Sequence, residues 1–156
     1  MKKILTFIAV IFLSACSQQP ETHSSTDPVS FVKIYTTESS FDDAKDDLLM
    51  AIEGHGLVVS YTSHAQEMLD RTADVAGVTT PVYDRAEIIL FCKADLSHKL
   101  VAANPHNLVL CPYAIAIYAL YQKPETVYLS FREPEASEAT TKPIRQLLVD
   151  IIEEVI

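Results

Sequence analysis

Residues 108–132 read LVLCPYAIAIYALYQKPETVYLSFR, and this stretch decides the fold class. From Thr126 to Arg132 the side chains alternate: Val127, Leu129 and Phe131 fall on one side, Tyr128, Ser130 and Arg132 on the other. A period of two marks a strand with one face against a core. Residues 108–121 carry apolar side chains at both parities, as a strand covered on both sides does. Pro112 lacks the N–H that a ladder needs, so a bulge or kink is expected between LVLC and YAIAIYALY. Residues 122–125 supply a turn. Two strands joined so tightly pair antiparallel.

Upstream, residues 86–92 (AEIILFC) read as a central strand, and residues 31–36 and 57–62 as two more. Helices lie between them. Ser39 or Ser40 caps the first, with Asp42 and Asp43 in its opening turn and Phe41, Ala44, Leu48, Ala51 and Ile52 on one stripe. Gly54-His55-Gly56 ends it. Residues 63–72 form a second helix with Ala65, Met68 and Leu69 inward, and residues 73–81 a loop placed to cover a pocket. Residues 95–103 give a short helix, stopped by Asn104-Pro105. Thr141 caps the last, in which Ile144, Leu147, Leu148, Ile151, Ile152 and Val155 follow the amphipathic spacing closely. No internal repeat is present. The pattern predicts a single α+β domain: an antiparallel sheet with helices on one face.

The 156 residues fit one domain, and 49% hydrophobic against 21% charged composition excludes wholesale disorder. The opening, MKKILTFIAVIFLSAC, reads as an address. Lys2 and Lys3 give a positive start. Residues 4–13 are apolar but for Thr6, too short to span a bilayer and suited to a signal peptide. Leu13-Ser14-Ala15-Cys16 is similar to the lipobox of bacterial lipoproteins: an aliphatic residue, two small residues and the cysteine that receives a diacylglyceryl group. Residues 1–15 are thus expected to be a signal peptide, Cys16 the lipidation site and residues 16–30 a polar tether. The domain, residues 31–156, is expected to be anchored in the cell envelope, facing the periplasm. Ser17 follows Cys16 where Asp would resemble an inner-membrane retention signal, which favours the outer membrane in a Gram-negative host.

Loss of Lys2 and Lys3 with the leader takes the formal charge from −9 to −11. So acidic a chain is not expected to bind nucleic acid. Four acids near residue 45 do not form the Asp-x-Asp-x-Asp-Gly loop of a calcium site, and read as a solvated helix face. With Cys16 lipidated, Cys92 and Cys111 remain, too far apart in sequence for a CxxC motif. Three readings stay open for them: buried inert thiols, a structural disulfide allowed by the oxidising compartment, or a thiolate metal or cofactor site. The last needs further ligands, for which His64 and His98 are candidates without supporting spacing. No P-loop, GxGxxG or GxSxG is present, and three glycines disfavour a phosphate-cradling loop. No cofactor is implied. Tyr113, Tyr118, Tyr121 and Tyr128 read as sheet packing.

FDDAKDDLLMAIEGHGLVVSYTSHAQEML (41–69), YDRAEIILFCKADLSHKLVAANPHNLVLCPYAIAIYAL (83–120) and VYLSFREP (127–134) together resemble the domain-of-unknown-function family 302. The likeness covers about residues 31–156. Its specific parts are the FC segment, the Asn-Pro pair, the LCPY strand start and the helix–Gly–strand opening. The resemblance implies a curved antiparallel sheet packed by helices in a TATA-binding-protein-like arrangement, homodimers in some members, and no established activity. Two departures bring the chain closer to a cysteine-bearing branch. Ser63-His64 stands where many members carry Asp-His, and Cys92-Lys93-Ala94 where many carry Gly-Asn-Pro, so no site built on the Asp-His pair is carried over. The sequence therefore reads as a lipid-anchored envelope protein with a non-enzymatic ligand- or partner-binding domain. The alternative is a redox or metal-handling protein using Cys92 and Cys111, with His64 as the further ligand.

Overall fold

The hairpin expected from residues 108–132 is the centre of the sheet. In the computed structural model, which describes residues 31–134 and 139–156, it is formed by β4 (Tyr113–Leu120) and β5 (Lys123–Arg132). Around it run β1 (Val32–Thr37), α1 (Phe41–Gly54), β2 (Val58–Ser63), α2 (Ala65–Ala76), β3 (Tyr83–Cys92), α3 (Ala94–Ala103), a 3-10 helix (Pro105–Leu110) and α4 (Lys142–Glu153). The strands form one open sheet in the order β1-β5-β4-β3-β2, every neighbouring pair antiparallel. The chain is thus a single α+β domain, as its pattern predicts. The expected signal segment, Cys16, the tether and part of the loop before α4 lie outside the described residues.

The register puts Ile89, Phe91, Tyr113, Ile115, Ile117, Val127, Leu129 and Phe131 on one face of the three central strands. All are buried. Against this face α1 lays Phe41, Ala44, Leu48 and Ile52, and α4 lays Ile144, Leu147, Leu148, Ile151 and Ile152. Leu100 of α3 completes the same core. A fully buried Leu or Ile contributes roughly 1.5–3 kcal/mol through removal of apolar surface from water, so this face carries most of the stability.

Local signals set the helix ends. Ser40 Oγ accepts the Asp43 amide at 3.2 Å and donates to the Asp43 carboxylate at 2.7 Å, so the first turn of α1 is capped by side chains. Gly56 leaves the helix at a φ of 72°, and the chain turns straight into β2. The end of α4 is tied to the end of α1 by His55 and Glu154, 3.0 Å apart. Thr141 takes the cap position of α4, but the bond is made by its backbone carbonyl, 2.9 Å from the Arg145 amide.

Several expectations are corrected. The LVL of LVLC is 3-10 helix rather than strand. Asn104 caps it by accepting the His106 amide at 2.9 Å, and Pro105 opens it, while Leu108 and Val109 stay exposed. Helix α2 runs to Ala76 and buries none of Ala65, Met68 or Leu69. Strand β3 begins at Tyr83 rather than at residue 86. Its polar start is compensated by partners on α1: Glu87 meets Lys45 at 2.7 Å, and Arg85 meets Asp42 at 2.9 Å while lying over the Phe41 ring.

Candidate functional site

Strands β3 and β4 lie side by side, with Phe91 opposite Tyr113. Cys92 is the next residue on β3, and Cys111 comes just before β4. The topology therefore brings together two cysteines separated by the whole of α3 and the 3-10 helix. Their sulfurs are 2.9 Å apart, and both side chains are half-buried. Ser97 of α3 sits above them, its hydroxyl 3.6 Å from the Cys111 sulfur and 3.4 Å from the Tyr113 hydroxyl. Cys92 is pushed up to about 11, first by burial and then by its hydrogen bond to Cys111; the Tyr113 amide pulls more weakly the other way. Burial also raises Tyr113, against the opposing bond from Ser97.

Beside this pair opens a groove of about 470 Å3. It is lined by Ile88, Ala114, Ala116 and Ser130 from the outer face of the central strands, and it also reaches the core residues Tyr113, Phe131, Ile144 and Leu148. Leu110 and Pro112, the two neighbours of Cys111, form one wall, and Phe31 and Val32 the other. Arg132 and Glu133 stand at the rim. The Glu133 carboxylate is already engaged by Arg145 and by Lys33, the latter at 3.2 Å, and these cations hold it below the usual carboxylate range. Arg132 is exposed. A mostly apolar cleft with a few polar groups at one margin is the common form of a small-molecule site.

His64 is not brought to the cysteines. It occupies the N-cap position of α2, exposed and without a side-chain capping bond, just beyond Ser63, which pairs with Ile88, whereas Cys92 pairs with Val58 at the far end of β2. Four residues of strand separate the two points, about 13 Å. His98 lies exposed on α3. Among the described residues no three of His, Cys, Asp and Glu are grouped so as to hold a metal ion.

At the His64 end a second cavity, about 340 Å3, is lined by α2 and by residues 78–83, so the loop read as a pocket cover does line one. The tyrosines divide between the two faces. Tyr113 is core, whereas Tyr118 and Tyr128 stack across strands on the outer face with centroids 5.2 Å apart. No helix among the described residues is long and apolar enough to cross a membrane.

Ser97 and the groove were absent from the sequence reading. Ser97 lies one helical turn from nothing distinctive in ADLSHKL. The groove joins β1, the 3-10 helix and the central strands, which share no local motif.

A family model described as Domain of unknown function DUF302 matches residues 33–155. Among solved structures, the crystal structure of an uncharacterized conserved protein DUF302 from Bacillus stearothermophilus is similar, with a TM-score of 0.59 at 12% identity, over 81% of this chain and 94% of that one. At that identity the likeness concerns the fold. No curated protein sequence matches the chain.

Proposed function

The chain belongs to the DUF302 family, whose function is unknown, and from that premise we propose that it is a lipid-anchored envelope protein whose domain binds a small amphiphilic ligand without transforming it. The anchor is Cys16, held to the domain by residues 16–30, with the outer membrane as its site in a Gram-negative host. The observation that carries the binding function is the groove of about 470 Å3: an apolar floor and walls, with Arg132 at the rim to meet an anionic end. Burying the apolar body of such a ligand supplies the affinity, about 25 cal/mol for each Å2 removed from water, before association costs. The cation at the margin supplies orientation.

Titration with 8-anilinonaphthalene-1-sulfonate, an apolar body with one anionic group, tests this reading. Saturable one-to-one fluorescence enhancement is expected, and it is lost in Ala116→Phe, which fills the floor. Absence of saturation, or binding indifferent to Ala116→Phe, rejects the groove as a site. The anchor has a separate test. Mass spectrometry of the native mature N-terminus is expected to find a diacylglyceryl group on Cys16; an unmodified Cys16 or a different cleavage point rejects it.

A second reading, redox handling by Cys92 and Cys111, is favoured by one observation, the 2.9 Å separation of their sulfurs. Its metal-handling branch has less support, because two thiols leave a tetrahedral site half empty and His64 lies at the other end of β2.

A further inference from the structure

We propose that Cys92 and Cys111 form a directional thiol–disulfide exchange site, in which Cys111 attacks an external disulfide and Cys92 resolves the mixed disulfide. This deepens the redox reading and rests on it. The sulfurs already lie 2.9 Å apart at the ends of adjacent strands, so closing the bond needs no rearrangement of the sheet. Both side chains are half-buried, which leaves a path for a small disulfide or for one on an extended peptide.

The direction follows from what surrounds each sulfur. A single proton shared by two sulfurs rests on the one whose charged form is the less stabilised. Burial makes the charged form of Cys92 costly by more than the Tyr113 amide recovers, and its bond to Cys111 favours the proton remaining on Cys92. Negative charge on Cys111 meets that S–H at 2.9 Å and the Ser97 hydroxyl at 3.6 Å. Tyr113, 3.4 Å from Ser97, fixes that hydroxyl beside Cys111. The thiolate is the nucleophile in exchange, so Cys111 attacks first.

The steps balance. The Cys111 thiolate displaces one thiolate from a disulfide RSSR, forming the Cys111–SR bond and breaking the S–S bond of RSSR. Cys92 gives up its proton, attacks the Cys111 sulfur and expels the second RS group. The two released thiolates take up the two protons that Cys92 and Cys111 held. Two protein thiols are oxidised by two electrons, and one external disulfide is reduced to two thiols. In the envelope the co-reactant class is a low-molecular-weight disulfide or the disulfide form of a thiol oxidoreductase.

Glutathione disulfide is the probe, applied to the full chain carrying Cys16→Ser so that only two thiols remain. The parent is expected to end without adduct, lighter by two hydrogens, with two thiols of glutathione released. Cys92→Ser is expected to accumulate glutathione on Cys111. Cys111→Ser is expected to react at Cys92 several-fold more slowly than Cys92→Ser reacts at Cys111, because burial, the largest cause of the rise at Cys92, persists when Cys111 is removed. Early acid-quenched samples of the parent, mapped by peptide mass, give the same answer without relying on either variant, and the first adduct is expected on Cys111. Two free thiols or two stable adducts in the parent reject the redox reading itself. Disulfide formation with the first adduct on Cys92, or with equal rates in the two variants, rejects the direction and leaves that reading standing.

Discussion

Oxidising Cys92 and Cys111 to a disulfide closes a loop containing all of α3 and the 3-10 helix, with 19 positions separating its ends. In the chain-entropy description, closing a loop of about 20 residues removes about 11 cal/mol/K from the unfolded ensemble, or about 3 kcal/mol at 25 °C. Because the sulfurs are already adjacent, little of that gain is expected to be lost in distorting the native state. A domain of about 120 residues unfolds with an entropy near 0.25 kcal/mol/K, so the oxidised form is expected to melt about 12 °C above the reduced form. Thermal unfolding followed by circular dichroism, with and without a phosphine reductant, measures the difference. The double variant Cys92→Ser/Cys111→Ser is the control and is expected to ignore the reductant. An oxidised form melting within about 3 °C of the reduced one, or below it, would refute the reasoning, since the bond would then be fitting poorly or the unfolded chain would already be restricted there.

Three further outcomes concern stability. Ile117→Ala, at a fully buried position in the middle of β4, is expected to cost about 3 kcal/mol in urea unfolding, and a loss under about 1 kcal/mol would mean that the core collapses around the gap. Glu133→Gln is expected to flatten the acid side of the stability profile. Arg145 first, and Lys33 after it, lower the folded carboxyl below its ordinary value of 4.5, so the contribution is complete above 4.5 and drains away as pH falls through the lower folded value. Parallel profiles for parent and variant between pH 5 and pH 2 would contradict this assignment. Gly77→Ala is expected to cost about 1 kcal/mol because Gly77 has a φ of 68°, whereas Gly54→Ala, in open space at the end of α1, is expected to be neutral or stabilising. Equal effects of the two in thermal unfolding would remove the left-handed turn as the cause.

Where a residue's own periodicity reports its burial, the sequence was legible. The stripe Phe41, Ala44, Leu48, Ala51, Ile52 and the stripe from Ile144 to Ile152 are buried as their spacing implies. So is the alternation of Val127, Leu129 and Phe131. What failed depended on partners elsewhere in the chain. Tyr83, Asp84 and Arg85 do not look like strand, yet Arg85 is extended beside Ala119 because Asp42 and Phe41 receive its charge. Leu108 and Val109 look like strand, yet Asn104 caps a 3-10 turn that leaves these two side chains outside. Met68 and Leu69 have inward spacing, but α2 is offered no core to enter. The cysteines were legible as a pair, because setting Cys16 aside as the expected anchor leaves two. Their meeting was not, since it follows from β3 and β4 being neighbours. Ser97 and Arg132 carry no local mark at all.

The placement of β1 beside β5 has a consequence in time. Val32 pairs with Arg132 and Thr37 with Val127, so the first described strand to be synthesised waits for nearly the last. β2, β3, β4 and β5 can assemble without it, and such long-range pairing is slow because the intervening chain must close first. Until then VKIYTT, a short segment with high strand propensity, has no partner in its own chain and resembles the exposed edges through which unfolded copies associate. Lys33 places one charge in that segment and later meets Glu133, next to the strand that β1 joins. The same lysine thus guards the strand while it is unpaired and helps hold it once the sheet is complete.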